Sequence, residues 1–303
     1  MSNDFVTITG ATGHIGRKAA EILLGKGLKV RAVARTAHKL ASLTGAEAFA
    51  ADLYDPASTE RALSGAKAVF AMIPPNAAAP DVRADQNKIA DSFIKAIPSA
   101  KVTHVVALSS IGAHQGTQMG PVNGLYDWEQ KLKKLPGVNV LILRPCYFME
   151  NLLVNVGLIK GNGIMGSPIK PELRFPMIAT QDIGAVVAAA LEKKDFTGVS
   201  VRELFGPRDL TMEDARAAIA KAISKPDLSY VQFPYEEAKK AMVGMGLSAD
   251  YAGLLVEMMK SMNEGIMRPT QVRDAKTTTP TSIEWFADNV FAPMFKTPTG
   301  AAH

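Results

Sequence analysis

A single cysteine, Cys146, stands in 303 residues, so no disulfide can form within the chain and a cysteine-based metal site is not expected. Histidines are few. His14, His38, His104, His114 and His303 show no H-x-x-x-H or HExxH spacing, so metal catalysis is not expected either. No apolar run approaches the ~18 residues of a membrane-spanning helix. The opening residues MSNDF lack the basic region and apolar stretch of a secretory signal, which points to a cytoplasmic protein without a membrane partner. The net charge is +5, yet no block of five or six cations occurs. The densest cluster, Lys131, Lys133 and Lys134, reads as a solvated surface, and nucleic acid is not an expected partner. Internal repeats and low-complexity tracts are absent as well.

What is present is a regular alternation. Short apolar runs at 5–9, 30–35, 48–52, 68–72, 104–108 and 140–144 read as strands buried on both faces. Amphipathic helical patterns lie between them at 14–25, 56–64, 82–96 and 125–135, with Asp55-Pro56 giving one a clean start. The alternation predicts an α/β fold, a Rossmann-type doubly wound parallel sheet with right-handed crossovers. Beyond Arg144-Pro145 the rhythm changes. Residues 157–176 read as an extended loop, 181–194 as a helix and 199–205 as a strand. TMEDARAAIAKAIS opens on a capping-box spacing from Thr211 to Asp214, and TSIEWFADNVF on another from Thr281 to Glu284. The expected division is a cofactor-binding domain over 1–150, completed by 177–205, and a smaller, mostly helical domain over 151–303 that covers the substrate.

The first strand–helix junction carries Gly10-x-x-Gly13-x-x-Gly16. In that context the first glycine allows a tight turn, the second lets backbone amides approach a pyrophosphate, and the third lets the helix pack on the sheet. The helix N-terminus adds unpaired N–H groups and a positive dipole end. A dinucleotide is therefore the expected ligand. At the end of the second strand, where an NAD site carries an acid, stand Arg35 and, one turn on, Lys39. Two cations there suit a 2′-phosphate, so NADP(H) is the expected cofactor. Asp52, followed by Leu53, ends the third strand and can accept from an adenine amino group, cap the next turn, or do both. Ile73 and Pro74, in MIPPN, end the fourth strand at the carboxyl edge where ligands collect.

TGATGHIG, the strand ending in Arg35, ADL, MIPP, LSS and LILRPCYFMENL together resemble the NmrA-like group of atypical short-chain dehydrogenases over residues 5 to about 205, and TSIEWFADN fits as well. The resemblance implies a Rossmann domain, a small C-terminal domain and a substrate cleft between them. It assigns Gly10, Thr12, Gly13, His14 and Ile15 to the phosphate loop, Arg35 and Lys39 to the 2′-phosphate, and Tyr147 and Phe148 to a segment near the nicotinamide. The group includes reductases of quinones and dyes as well as cofactor-binding redox sensors and regulators.

Short-chain dehydrogenases with a full active site use Ser and Tyr-x-x-x-Lys. Here Ser109 and Ser110 follow the fifth strand, but Tyr126 is followed at i+4 by Gln130, and Lys131 stands at i+5. On a helix, i+5 is turned about 140° from Tyr126, against about 40° for i+4. Ser110, Tyr126 and Lys131 remain the candidates for chemistry, with the usual proton-transfer pair absent or rearranged. Ketone reduction needs that pair, whereas a quinone or dye gives a delocalised anion that solvent can protonate. The expected function is NADPH-dependent hydride transfer to a small, flat, electron-poor substrate by a monomer or homodimer. The alternative is a non-catalytic sensor acting through a protein partner. Met242, Met245, Met258, Met259 and Met262 form plain core or an adaptable pocket, and Cys146 reads as a buried structural thiol.

Overall fold

The computed structural model describes residues 5–297; the start MSND and His303 lie outside them. In chain order the first half runs β1 (Phe5–Thr9), α1 (His14–Gly25), β2 (Lys29–Ala34), β3 (Glu47–Ala50), α2 (Pro56–Leu63), β4 (Ala66–Ala71), α3 (Val82–Ser99), β5 (His104–Leu108), α4 (Val122–Leu132) and β6 (Asn139–Pro145). These six strands and β10 (Val199–Leu204) make one parallel sheet in the order β3-β2-β1-β4-β5-β6-β10. The order in which strands are added reverses between β1 and β4, which opens a crevice at their carboxyl ends.

Burial on both faces explains why these strands are Val- and Ala-rich. On β4, Ala68 and Phe70 pack under α1 and α6 (Thr180–Lys193), while Val69 and Ala71 face α3 and α4. Strands β5 and β6 alternate in the same way, with Val106, Leu141 and Leu143 on the first face and Val105, Val140 and Ile142 on the second. Helix α2 begins as its sequence requires, with Asp55 accepting from the Ala57 and Ser58 amides ahead of Pro56.

The remaining residues build a second core around Met177, Ile219, Phe286 and Phe291. Its elements are β7 (Tyr147–Phe148), α5 (Asn155–Asn162), β8 (Ile164–Ser167), β9 (Phe175–Ile178), β11 (Asp209–Leu210), α7 (Met212–Ala222), β12 (Ser229–Gln232), α8 (Tyr235–Gly244), α9 (Ala249–Asn263) and a last helical stretch over 283–296. Three expectations are corrected. Residues 157–176 are no loop: α5, β8 and β9 occupy most of them, with the Asn155 side chain accepting from the Gly166 amide at 2.9 Å. Helix α4 starts and ends three residues earlier than the 125–135 pattern. The Thr211–Asp214 capping box is present, but the last helix is capped by Ser282, because Thr281 is held by Asp182 of α6, its hydroxyl donating at 2.7 Å. No helix among the described residues is long and apolar enough to cross a membrane.

Candidate active site

The glycine loop sits at the crevice. Thr9 Oγ1 donates to Phe70 O at 2.9 Å and accepts from the Met72 amide at 3.2 Å, which ties β1 to the end of β4. Each glycine has its own reason. Gly10 adopts φ +64°, and a Cβ there would lie 2.8 Å from Met72 Sδ. A Cβ at Gly16 would lie 2.5 Å from Gly10 O, so the helix could not approach the turn. Gly13 has ordinary extended backbone, φ −87° and ψ 166°, and a Cβ would meet only Gly10 O at 3.4 Å. Among the described residues no other atom comes within 4 Å of that Cβ. Helix α1 has no side-chain cap and no acid in its first turn, so its leading amides face outward into that space. Thr12, Gly13 and His14 are exposed and Ile15 is buried.

Arg35 follows β2 directly, and the 3₁₀ turn Ala37–Leu40 brings Lys39 in behind it. Both are exposed, and neither pairs with a carboxylate among the described residues. The Asp52 carboxylate accepts from the Tyr54 amide at 3.0 Å, so it caps the turn, and Leu53 is buried beside it.

From the glycine loop a cleft of ≈ 440 Å³ runs past Met72, Ile73, Pro75, Ser109 and Ser110 to Leu125 and Phe148. It shares Ser110, Pro121, Phe148, Asn151 and Tyr251 with a second space of ≈ 400 Å³. That chamber is lined by Tyr147, Phe175, Leu255, Met258, Met262 and Met267, with Arg174, Asp209 and Arg268 at its edges. Two adjoining spaces of this size, largely apolar with a few polar groups, suit a cofactor head and a flat small molecule side by side. Asp209 is committed to Arg273 at 2.5 Å, whereas Arg268 has no carboxylate partner among the described residues. Of the methionine stripe, Met258 and Met262 face the chamber, Met259 packs in the second core, and Met245 is 73% exposed. Cys146 also lines the chamber, but burial pushes its thiol well above the usual range, so no thiolate forms there.

The structure gathers some expected residues and separates others. Ser110 lies at the junction of cleft and chamber, and Phe148 beside it. Tyr147 lines the chamber, its ring edge-on to Phe175 at 5.4 Å. Pro74 is not in the cleft wall; its neighbour Pro75 is. Tyr126 and Lys131 line neither space. The Tyr126 ring lies over the turn at Gly116, where an added Cβ would meet it at 2.9 Å. Lys131 Nζ donates to Asn87 Oδ1 at 2.7 Å and Asp91 Oδ1 at 2.5 Å on α3. Between them, Asp127 makes a forked pair with Arg83 of α3, and that guanidinium holds its carboxyl below the usual range. Helix phase explains Lys131, which at 100° per residue lies about 180° round α4 from Val122 in the cleft wall. Tyr126 lies only about 40° from Val122, and its ring is taken up instead by the turn at Gly116.

Glu129 is a site residue that the motifs do not reveal. Its carboxylate is fully buried and accepts from Arg144 Nε at 2.7 Å and Nη2 at 2.6 Å, and from Ser109 Oγ at 2.6 Å. The Ser109 hydroxyl proton is therefore committed to the protein, whereas the Ser110 hydroxyl has no partner among the described residues. Tyr251 and Gln86, both in the cleft wall, likewise carry no local signature. Among the described residues no cluster of three or more acidic, histidine or cysteine side chains is arranged to hold a metal.

A doubly wound parallel sheet with a glycine loop at its switch point and a cleft along its carboxyl edge defines a dinucleotide-binding Rossmann protein. More narrowly, the chain belongs to the NmrA-like family, whose profile matches residues 2–299. It is 29% identical over 255 residues to an NAD(P)H azoreductase of Xenophilus azovorans, covering 84% of this chain and 85% of that one. Its fold is similar to that of the NADPH-dependent quinone oxidoreductase of Escherichia coli solved with NADPH, with a TM-score of 0.76 and 20% identity over 95% of this chain and all of the other. It is similar too to NmrA, a negative transcriptional regulator solved with NADP, with a TM-score of 0.74, 15% identity and 96% of each chain covered.

Proposed function

We propose that this protein is an NADPH-dependent reductase that transfers hydride to a flat, electron-poor acceptor such as a quinone or an azo dye. One observation carries the reading: along Ser110, Phe148 and Tyr251 the cofactor cleft adjoins an apolar chamber with room for a second molecule. A sensor that only registers the cofactor needs no such chamber, whereas a reductase must seat its acceptor against the nicotinamide. The relatives named as azoreductase and quinone oxidoreductase support the same chemistry.

The chain's residues divide the work. The open space at Gly13 and the outward amides of α1 receive the pyrophosphate, and Arg35 with Lys39 receives the 2′-phosphate. Bound NADPH supplies a hydride. Residues 151–303, apart from 177–205, cover the acceptor with methionine and aromatic side chains that adapt to ring systems. NADPH oxidation followed spectrophotometrically with a panel of quinones and azo dyes tests the reading. Turnover is expected; cofactor binding without turnover of any acceptor would leave the sensor reading in its place.

Two variants refine it. Arg35→Ala is expected to lose about tenfold or more in NADPH affinity, the worth of one charge-assisted contact of about 1.5–3 kcal/mol, with NADH binding unchanged. Calorimetric titration with both cofactors measures this, and an equal loss for both would remove Arg35 from the 2′-phosphate site. Tyr126→Phe should keep most of the reductase activity, since Tyr126 lies outside both spaces. Loss of a working acid costs about 10²–10⁴-fold in rate, so steady-state turnover separates the outcomes clearly.

A further inference from the structure

Tyr251 stands where the chemistry of this site would happen, although no motif marks it. It is one of five residues that line both the cofactor cleft and the chamber. Its place is set from the cofactor side. Ser248 caps α9 by accepting from the Tyr251 amide at 3.0 Å, and the Ser248 amide donates to Ala77 O at 2.8 Å in the loop that follows β4. Next to it, Asp250 accepts from the Val82 amide at the start of α3 at 2.8 Å. The first turn of α9 is thereby tied to the sheet's carboxyl edge. Further along, α9 packs on the turn before α4, where a Cβ at Gly120 would fall 2.1 Å from Leu254 O. Side chain and cleft are thus held by the same rigid elements.

The hydroxyl is unspent. The Tyr230 phenol is engaged with Ile169 O at 2.7 Å and the Tyr235 oxygen accepts from Asn263 at 2.7 Å, whereas the Tyr251 hydroxyl has no protein partner among the described residues. Burial pushes its pKa above that of a free phenol, which favours the neutral O–H form. Ser110, the other hydroxyl at the junction, also makes no side-chain hydrogen bond among the described residues.

We propose that Tyr251 is a catalytic residue of the proposed reductase, the hydrogen-bond and proton donor to an acceptor's carbonyl oxygen, and that the site is therefore built for quinones. The inference rests on the reductase reading above. Reduction of a quinone balances as NADPH + quinone + H⁺ giving NADP⁺ + hydroquinone. Two electrons and one hydrogen nucleus arrive as hydride, and the negative charge gathers on a quinone oxygen. The second proton passes from Tyr251 Oη to that oxygen, and the phenol regains one from water at the cleft mouth. In an apolar chamber a preorganised donor aimed at that oxygen is worth far more than in water.

The test compares the parent, Tyr251→Phe and Tyr126→Phe on two acceptors: a naphthoquinone, and a triphenylmethane carbocation that takes hydride at carbon and develops no charge on oxygen. For Tyr251→Phe, turnover with the quinone is expected to fall about 10²-fold or more, with NADPH affinity unchanged and carbocation reduction within about threefold of the parent. Tyr126→Phe should match the parent on both. A quinone rate within about threefold of the parent overturns the inference, and so does an equal loss on both acceptors, which marks a structural role. If the parent does not reduce the carbocation, the quinone rate read against unchanged NADPH affinity decides alone. A parent that oxidises NADPH with neither acceptor overturns the reductase reading, and this inference with it.

Discussion

Gly13→Val is expected to weaken NADPH binding by at least a hundredfold while the folded protein survives. The backbone at Gly13 is extended, a conformation that valine adopts freely, and an added Cβ meets only Gly10 O at 3.4 Å. Loss of glycine at this N-cap costs at most about 1 kcal/mol. The two methyl groups instead occupy the open space before the first amides of α1. If two charge-assisted contacts of about 1.5–3 kcal/mol each are lost, affinity drops by about 10²–10⁴-fold. Calorimetry with NADPH, beside a thermal melt, separates the two properties. Gly16→Val should do the reverse of sparing the fold, since its Cβ would strike Gly10 O at 2.5 Å. Normal NADPH binding by Gly13→Val would show that the phosphates lie elsewhere.

The second large effect is on stability. Glu129→Ala is expected to cost about 3–5 kcal/mol, because it strands the Arg144 guanidinium, itself 6% exposed, without a counter-charge. It also removes the acceptor for Ser109 Oγ, which holds the strand β5 terminus beside the cleft. Urea unfolding measures the loss. The double variant Glu129→Leu with Arg144→Met should recover most of it, because two apolar side chains of similar volume need no pairing. A single-variant loss below about 1 kcal/mol would mean that water reaches and solvates Arg144.

Much of the fold could be read from local pattern. Helix α1 runs over the residues its periodicity predicts, between a glycine loop and a glycine-rich end, and the capping box of α7 forms where its spacing places it. The buried strands are legible because a parallel sheet covered on both faces accepts little besides Val, Ile, Leu and Ala. Helices α5 and α8 escaped that reading. Gly157 and Gly161 lower the intrinsic propensity of α5, and tertiary packing of Ile159 overrides it. The expected cap at Thr281 failed for a similar reason: a partner on α6, distant in the chain, claims that hydroxyl and leaves Ser282 to cap.

The site divides along the same line. The phosphate loop is encoded in one short local run, Gly10 to Gly16, so the sequence by itself determined that this protein builds a dinucleotide site. The surroundings of α4 could be assigned only once α3 and the sheet were in place, and they put Val122 and Leu125, not Tyr126 and Lys131, in the cleft wall. The chamber is assembled from β7, β9, α9 and the segment after it, and Tyr251 lines the same spaces as Ser110 because α9 is tied to the loop after β4. Backbone turns and helix ends are local, and spacing records them. A pocket is made by contacts between residues far apart in the chain, and only the folded packing decides which side chains share it.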